Sequence, residues 1–232
     1  MPHVVLVNGL PGSGKTTLAP ELAARLRVPV FAKDVIKETL FDWIGVGDRD
    51  WSARLGAASM EVIWSLLGAC PVDAVVESWF SPASRELVRA GLKRAGAGDV
   101  LEIWCDVPFD TAFSRFAERA PRRHPGHVEH EVVATYRARL SDAAHPLNLG
   151  PVLRVATDAP VDLPAVIAWI ESRWQRSPVE DGLTAPDGWE QESGPLTERK
   201  AAQVVFAAAD TATGPPPTGG QDGADGCHRP RR

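Results

Sequence analysis

The sequence predicts an α/β fold in which helices cover both faces of a five-stranded parallel sheet, followed by a C-terminal tail. Short apolar runs alternate with segments of helical periodicity over residues 4–174, which is the pattern of a parallel sheet. The first apolar run leads into a glycine-rich loop and then a helix. From Ser177 onward the periodicity ends, and proline, glycine, aspartate and threonine dominate. We therefore expect one domain over residues 1–176 and a mostly disordered, low-complexity tail over residues 177–232.

The individual elements follow from the spacing of apolar residues. Strands are predicted from short apolar runs at residues 4–7, 28–32, 73–77, 100–105 and 152–156. Helices are predicted where apolar residues recur three or four positions apart, at residues 17–26, 35–44, 51–67, 82–96, 108–116, 131–140 and 162–174. Boundary residues agree with these limits, because prolines open the helices at 82 and 108, and Asp162 with Pro164 opens the last helix.

The same spacing predicts which side of each helix faces inward. The first helix places Leu18, Leu22 and Leu26 on one side. The expected inward residues of the second and third helices are Ile36, Leu40, Trp43 and Ile44, and Trp51, Leu55, Val62, Ile63 and Leu66. The helix that starts at Pro108 directs its three phenylalanines, Phe109, Phe113 and Phe116, inward.

The loop after the first strand matches the phosphate-binding pattern G-x-x-x-x-G-K-[ST] between Gly9 and Thr16. Its glycines allow backbone N–H groups to point at phosphate oxygens, and the following helix N-terminus adds partial positive charge. Lys15 is expected to reach the β- and γ-phosphates, and the Thr16 hydroxyl to hold Mg²⁺. The alternative is an ordinary glycine-rich turn. The predicted nucleotide-binding residues are Gly9, Leu10, Pro11, Gly12, Ser13, Gly14, Lys15, Thr16 and Thr17.

Two acids lie where predicted strands end. Asp34 follows the second strand, so we expect its carboxylate to face the phosphate loop across a cleft and accept a proton from a substrate hydroxyl. Asp34 could instead cap the helix that it precedes. Glu77 ends the third strand, a position that suits a water-mediated Mg²⁺ ligand, a substrate contact or a surface carboxylate.

A cluster of basic residues predicts a lid at about residues 119–130. Arg115 and Arg119 lie one helical turn apart, and Arg122 and Arg123 follow before a loop that contains proline and glycine. Such a lid closes over a triphosphate and stabilises the charge that spreads during transfer, so Arg119 and Arg123 are assigned catalytic roles. Solvated arginines or salt bridges to Glu118 or Asp110 are the alternative. Histidines recur at positions 124, 127 and 130, where ordinary loop residues, or lid or substrate contacts, are favoured over a zinc site.

Composition limits the classes of function. The chain has 232 residues and a net charge of −5. Residues 177–232 contain nine acidic and five basic residues, a net of −4, whereas residues 1–176 contain 21 and 20, a net of −1. A nearly neutral domain does not indicate a large nucleic-acid footprint.

No apolar stretch approaches the ~20 residues of a membrane helix, and the N-terminus does not resemble a signal peptide. The cysteines, Cys70, Cys105 and Cys227, show no C-x-x-C spacing; we expect the first two to be buried and the protein to be cytoplasmic.

Several blocks together resemble one known family. They are Gly9–Thr17, residues 31–42, residues 75–80, residues 105–108, and Arg119 with residues 123–127. These blocks resemble the P-loop kinases of the AAA-type ATPase family, which are akin to zeta toxins, chloramphenicol phosphotransferase and the kinase domain of polynucleotide kinase. The resemblance covers about residues 4–174. It implies a core like that of nucleoside monophosphate kinases, ATP with Mg²⁺ as donor, Asp34 near the acceptor hydroxyl, and lid arginines. Polynucleotide kinases usually carry an arginine a few positions beyond the acid, where this chain has Lys37.

We therefore expect an ATP-dependent kinase that phosphorylates a hydroxyl of a small molecule. Two alternatives stay open: a polynucleotide 5′-hydroxyl kinase, and a regulatory module that binds or hydrolyses ATP without such an acceptor. A GTPase is disfavoured because the sequence contains no N-K-x-D motif. Nucleic-acid and membrane partners are not expected, and the tail leaves a protein partner open.

Overall fold

The computed structural model describes residues 1–127, 137, 140 and 144–174. Five strands form one parallel sheet in the order β2-β3-β1-β4-β5. The strands are β1 (Val4–Asn8), β2 (Val30–Ala32), β3 (Ala74–Glu77), β4 (Val100–Asp106) and β5 (Val152–Ala156). The predicted α/β fold and all five strands are confirmed, with β2 shorter than expected.

Helices connect the strands and cover the sheet. They are α1 (Lys15–Leu26), α2 (Lys33–Ile44), α3 (Arg49–Ala69), α4 (Arg85–Arg94), α5 (Phe109–Arg119) and α6 (Leu163–Glu171). Short 3₁₀ turns precede α4 at Pro82–Ser84 and follow α5 at Ala120–Arg122. Of the helix predicted over residues 131–140, only Arg137 and Leu140 are described, and both are helical. The tail predicted over residues 177–232 lies outside the described residues.

The central strand β1 divides the core into two layers because its side chains alternate between the faces of the sheet. Val5 and Val7 pack with the leucines of α1 and with Val166 and Ile170 of α6. Val4 and Leu6 pack on the opposite face with residues of α3 and α4: Ile63, Trp64, Leu67, Val88 and Leu92. Helices therefore enclose the strand whose carboxyl end carries the glycine loop.

The predicted inward face of α2 is partly wrong: Ile36 packs against the core, but the other end of the predicted face does not. Trp43 is 83% exposed and Ile44 54%, whereas Lys37 and Phe41 are buried. The reason is tertiary: α2 packs against α3, with the Lys37 ammonium donating to the Ser52 hydroxyl at 2.9 Å.

The inward face of α3 is also partly wrong. Val62 and Leu66 are exposed, and the buried face includes the small residues Ser52, Gly56 and Ser59 in addition to large apolar side chains. Small residues allow close approach by neighbouring groups, and apolar spacing alone does not reveal them.

The two described cysteines differ from each other. Cys70 is exposed, contrary to the prediction, because it caps the C-terminus of α3. Cys105 on β4 is buried, and burial raises its pKa to about 12, so its thiol stays protonated at neutral pH. Among the described residues, no helix combines the length and apolar character needed to cross a bilayer.

Candidate functional site

The glycine loop follows the carboxyl end of β1 and packs against α5. Gly12 and Gly14 have φ of 89° and 91°, a backbone region that favours glycine. A Cβ atom on Gly12 would lie 2.0 Å from the Ala112 carbonyl oxygen, so any side chain there would collide with α5. Gly14 caps α1, which begins at Lys15. The Lys15 side chain is buried, and its Nζ donates to the Leu10 carbonyl at 2.9 Å within the loop.

A buried polar network holds the start of this loop. The Asn8 Oδ1 accepts hydrogen bonds from the Gly9 N–H at 2.7 Å and from the Phe80 N–H at 2.9 Å. The Asn8 Nδ2 donates to Glu102 Oε1 at 2.8 Å. The Glu102 carboxylate also accepts from the Leu147 and Asn148 N–H groups. This network was not predicted from the sequence, in which its only local signal is a polar residue at the end of an apolar strand.

Thr157, the residue after β5, connects the glycine loop to the edge of the sheet. Its hydroxyl donates to the Ser13 carbonyl at 2.7 Å. Its carbonyl accepts a hydrogen bond from Arg115 at 3.3 Å. Thr157 was also missed in the sequence, because the residues that it joins lie at opposite ends of the domain.

A cavity of about 640 Å³ lies beside the glycine loop. Its walls come from the loop and α1, the last turns of α5, and the segment after β5: Gly12, Gly14, Thr17, Leu18, Glu21, Arg115, Glu118, Arg119, Thr157, Ala159, Pro160 and Val161. This volume is within the ~300–1,000 Å³ that is usual for sites of small ligands. The cavity opens where the loop N–H groups and the α1 N-terminus favour an anion, so its position suits a nucleotide with its phosphates in the loop.

Glu77 and Lys15 are buried charged residues at the carboxyl edge of the sheet. Glu77 ends β3 and is paired in register with Val7 of β1 and Ala32 of β2. Burial raises the pKa of the Glu77 carboxyl, Asp34 adds to this shift, and the cations of Lys15, Lys33 and Arg119 oppose it. Burial also lowers the pKa of the Lys15 ammonium, and the charges of Glu77 and Asp34 oppose that shift. Asp34, Glu77 and Lys15 are therefore close enough for the charge of one group to affect the pKa of another.

Replacing Glu77 by glutamine is expected to alter how the stability of the nucleotide-free protein depends on pH. A carboxyl whose folded-state pKa is raised contributes stability below its unfolded value of about 4.5, and this contribution is lost as pH rises through the folded value. Glutamine stays neutral. The melting temperature of the variant minus that of the wild type should therefore increase from pH 4.5 to 7.5. Glu61→Gln, at an exposed site, is the matched control. A difference that does not change with pH would contradict this prediction.

Asp34 lies in the first turn of α2, and it does not cap the helix. The N-cap is Ala32, which makes no side-chain capping bond, so the capping alternative is wrong. The Asp34 Oδ2 instead accepts a hydrogen bond from Arg123 Nη2 at 3.1 Å. Half of the Asp34 side chain is exposed, and Oδ1 accepts no hydrogen bond from the described residues.

The predicted lid arginines lie in two places. Arg119, the last residue of α5, is exposed and lines the cavity beside the glycine loop together with Arg115. Arg123 contacts Asp34 on the other side of the cleft, and Arg122 is exposed. Thr16, the second residue of α1, is exposed as well. The structure thus brings Arg119 to the cavity and Arg123 to the predicted base.

The loop at residues 123–127 is attached to α2 by several contacts. The His124 ring stacks on Phe41 with 5.3 Å between centroids, and its Nε2 lies 3.0 Å from Asp42 Oδ1. The buried His127 has its Nε2 2.7 Å from Glu38 Oε1. His130 lies outside the described residues. Within the described ranges, no group of three histidine, cysteine, aspartate or glutamate residues is arranged to hold a metal ion.

Comparisons with known proteins agree with this geometry. Residues 4–143 match a family described as AAA domain. A candidate kinase from Chloroflexus aurantiacus J-10-fl is 31% identical, with a TM-score of 0.63 over 75% of this chain and 99% of that one. A search among curated proteins found no match.

Two further solved structures show the fold alone. APE1195 is 22% identical, with a TM-score of 0.51 over 74% of this chain and 93% of that one. The APS kinase of Mycobacterium tuberculosis, in complex with AMPPNP and APS, is 21% identical, with a TM-score of 0.50 over 73% of this chain and 98% of that one. From the family match, the 31% identity and the glycine loop with its parallel sheet, we conclude that the chain belongs to the AAA-domain family, as an AAA-type P-loop kinase.

Proposed function

We propose that this protein is an ATP-dependent kinase that transfers the γ-phosphoryl group to a hydroxyl of a small molecule. One observation carries the proposal: Glu77 is paired in register with Val7, just before the glycine loop, and with Ala32, just before Asp34, so the loop lysine and both carboxylates lie at one edge of the sheet. A phosphate-binding group and a proton acceptor therefore lie together at the carboxyl ends of the strands, where ligands of parallel sheets bind.

On the donor side, the glycine loop would hold the β- and γ-phosphates of ATP, and the cavity beside it would hold the nucleoside. The Lys15 ammonium would exchange its contact with the Leu10 carbonyl for phosphate oxygens. Arg119 lines the same cavity and would stabilise the negative charge that spreads over the transferred group. Thr157 would keep the loop in place through its bond to the Ser13 carbonyl.

The residues at this site fit Mg²⁺. Glu77 is 5% exposed, yet its carboxylate makes no hydrogen bond or ion pair with the described residues, which suits a water-mediated ligand. The exposed Thr16 hydroxyl would supply a direct ligand. When bound, Mg²⁺ neutralises charge on the β- and γ-phosphates.

On the acceptor side, Asp34 would serve as the general base. The hydroxyl oxygen of the acceptor forms a bond to the γ-phosphorus while the bond between that phosphorus and the β–γ bridging oxygen breaks, and ADP leaves. The hydroxyl proton passes to Asp34 Oδ1, because Arg123 already donates to Oδ2. Arg123 thus orients the carboxylate.

The proposal is tested with γ-labelled ATP and a panel of sugars, sugar acids, nucleosides, antibiotics and 5′-hydroxyl oligonucleotides. We expect label in a phosphorylated small molecule and ADP in equal amount. Transfer only to oligonucleotides would contradict the proposal in favour of a polynucleotide kinase. Release of labelled inorganic phosphate with every compound would contradict it in favour of an ATP-hydrolysing module.

A further inference from the structure

Lys33 is a charged residue of the cleft that the proposed reaction does not use. It directly follows β2 and precedes Asp34 in the first turn of α2. Since Ala32 is paired in register with Glu77, Lys33 extends from the same edge of the sheet as both acids. Its charge lies close enough to oppose the pKa shift of Glu77.

The Lys33 side chain lies next to α3 at Gly56, which has no side chain. An ideal Cβ on Gly56 would lie 3.5 Å from Lys33 Cε and 3.7 Å from Lys33 Nζ. The Lys33 Nζ therefore lies near Gly56 of α3, and the residue as a whole is partly buried. Lys33 thus lies beside α3 with only part of its surface exposed to water.

The Lys33 ammonium makes no hydrogen bond or ion pair with the residues that the structure describes. Its acidic neighbours differ from it in this respect, because Asp34 is bonded to Arg123 and Glu38 to His127. The donors of this ammonium are therefore available to an anionic ligand.

A second cation lies on the same side of α2 and adds to the positive charge near Gly56. Lys37 lies one helical turn further along, and its Cε would be 3.8 Å from a Cβ on Gly56. Like charges four residues apart on a helix repel each other. Lys37 donates a hydrogen bond to the Ser52 hydroxyl. It therefore adds positive charge near Lys33, but we do not propose that it binds the anion.

The geometry points to an anion-binding position at Lys33, between α2 and α3. This inference rests on the proposed function and deepens it: the acceptor is a hydroxyl compound that carries a carboxylate, phosphate or sulfate group, and Lys33 binds that group. The assignment to the acceptor follows from position. The donor phosphates are served by the glycine loop, Lys15 and Arg119, whereas Lys33 stands on α2 beside the base.

Inorganic sulfate tests this position without any knowledge of the acceptor. The protein is saturated with AMPPNP and Mg²⁺ to fill the glycine loop, and its melting temperature is followed during a sulfate titration at constant ionic strength. We expect saturable stabilisation of the wild type and an apparent sulfate affinity at least about tenfold weaker in Lys33→Gln, the loss of one charge-assisted contact. Lys93→Gln, at an exposed lysine of α4, is the control for loss of charge.

Gly56 offers a second and independent variant. In Gly56→Asp, the new carboxylate would lie next to Lys33 Nζ and compete with sulfate, while Gly56→Ala adds only a methyl group at a contact distance that the site accommodates. We expect the aspartate variant to lose the sulfate response and the alanine variant to keep it. No sulfate response in the wild type, or equal responses in wild type, Lys33→Gln and Gly56→Asp, would overturn the inference.

Two further measurements decide whether the anionic group that Lys33 binds belongs to the nucleotide or to the acceptor. AMPPNP affinity should be unchanged in Lys33→Gln; a tenfold loss would assign Lys33 to the donor and overturn the inference. Acceptors are then compared in pairs that share a hydroxyl skeleton, such as a sugar and its acid or phosphate. We expect transfer to the anionic member, with KM raised at least about tenfold in Lys33→Gln. Preference for the neutral members would overturn the inference and leave the kinase proposal intact. Hydrolysis of ATP without transfer would contradict the kinase proposal. In that case the sulfate titration would still decide whether Lys33 binds an anion.

Discussion

Lys15→Ala is expected to lower kcat/KM for ATP by about 10²-fold or more, since oriented positive charge on the transferred group dominates catalysis of phosphoryl transfer. The variant should fold. Its stability should not fall by the full cost of a buried truncation, because burial already disfavours the charged ammonium that is removed. Steady-state ATP consumption and thermal melting of wild type and variant measure the two effects.

The control for this variant is Lys93→Ala, which removes an exposed lysine far from the glycine loop in sequence. It should match the wild type in both measurements. If Lys15→Ala consumed ATP as the wild type does, the loop would not be the phosphate site. A large fall in melting temperature would instead indicate that the hydrogen bond from Lys15 to the Leu10 carbonyl holds the loop together.

Asp34→Asn is expected to reduce phosphoryl transfer to the acceptor by about 10²-fold or more while ATP affinity is kept. Asparagine has the same size but is a poor base, and Asp34 lies on the acceptor side of the cleft with Arg123. Stability should change little, because ion pairs that are this exposed contribute only ~0–1 kcal/mol. Calorimetry with AMPPNP and product formation with the acceptor are measured on the same preparation.

Asp42→Asn is the matched control, because it removes another exposed carboxylate of α2 that contacts the 123–127 loop through His124. Its transfer rate should remain close to that of the wild type. Full transfer by Asp34→Asn would remove Asp34 from the mechanism. Loss of AMPPNP binding together with transfer would place Asp34 on the Mg²⁺ side of the cleft.

The strands, the glycine loop and α1 could be predicted because their signals are local. A buried strand of a parallel sheet is an apolar run, and the loop needs glycines at fixed spacing before a lysine. Lys15, Arg119 and Glu77 could be placed for the same reason, since each lies at the end of an element that the periodicity identifies.

The remainder of the site depends on contacts between distant parts of the chain. The hydrogen bond from Asn8 to Glu102 and the one from Thr157 to Ser13 join residues on different elements, and no local pattern indicates them. Arg123 was assigned to ATP because it follows Arg119 closely, but the turn at Ala120–Arg122 directs it to Asp34. Likewise, Lys37 is buried only because α3 presents Ser52 to it.

The central position of β1 has a consequence for synthesis of the protein. β1 is made first, yet its two neighbours in the sheet are β3 and β4, which are paired with Val4 through Ala74 and Val100. Segments this far apart in the chain must meet before the edges of β1 have hydrogen-bonding partners. Such sheets are therefore slow to fold. The glycine loop is anchored to β1 and, through Thr157, to the segment after β5. A nascent chain on the ribosome therefore completes its phosphate site only after residue 157 has emerged, and the edges of β1 are open to chaperones and to aggregation until β3 and β4 have been made.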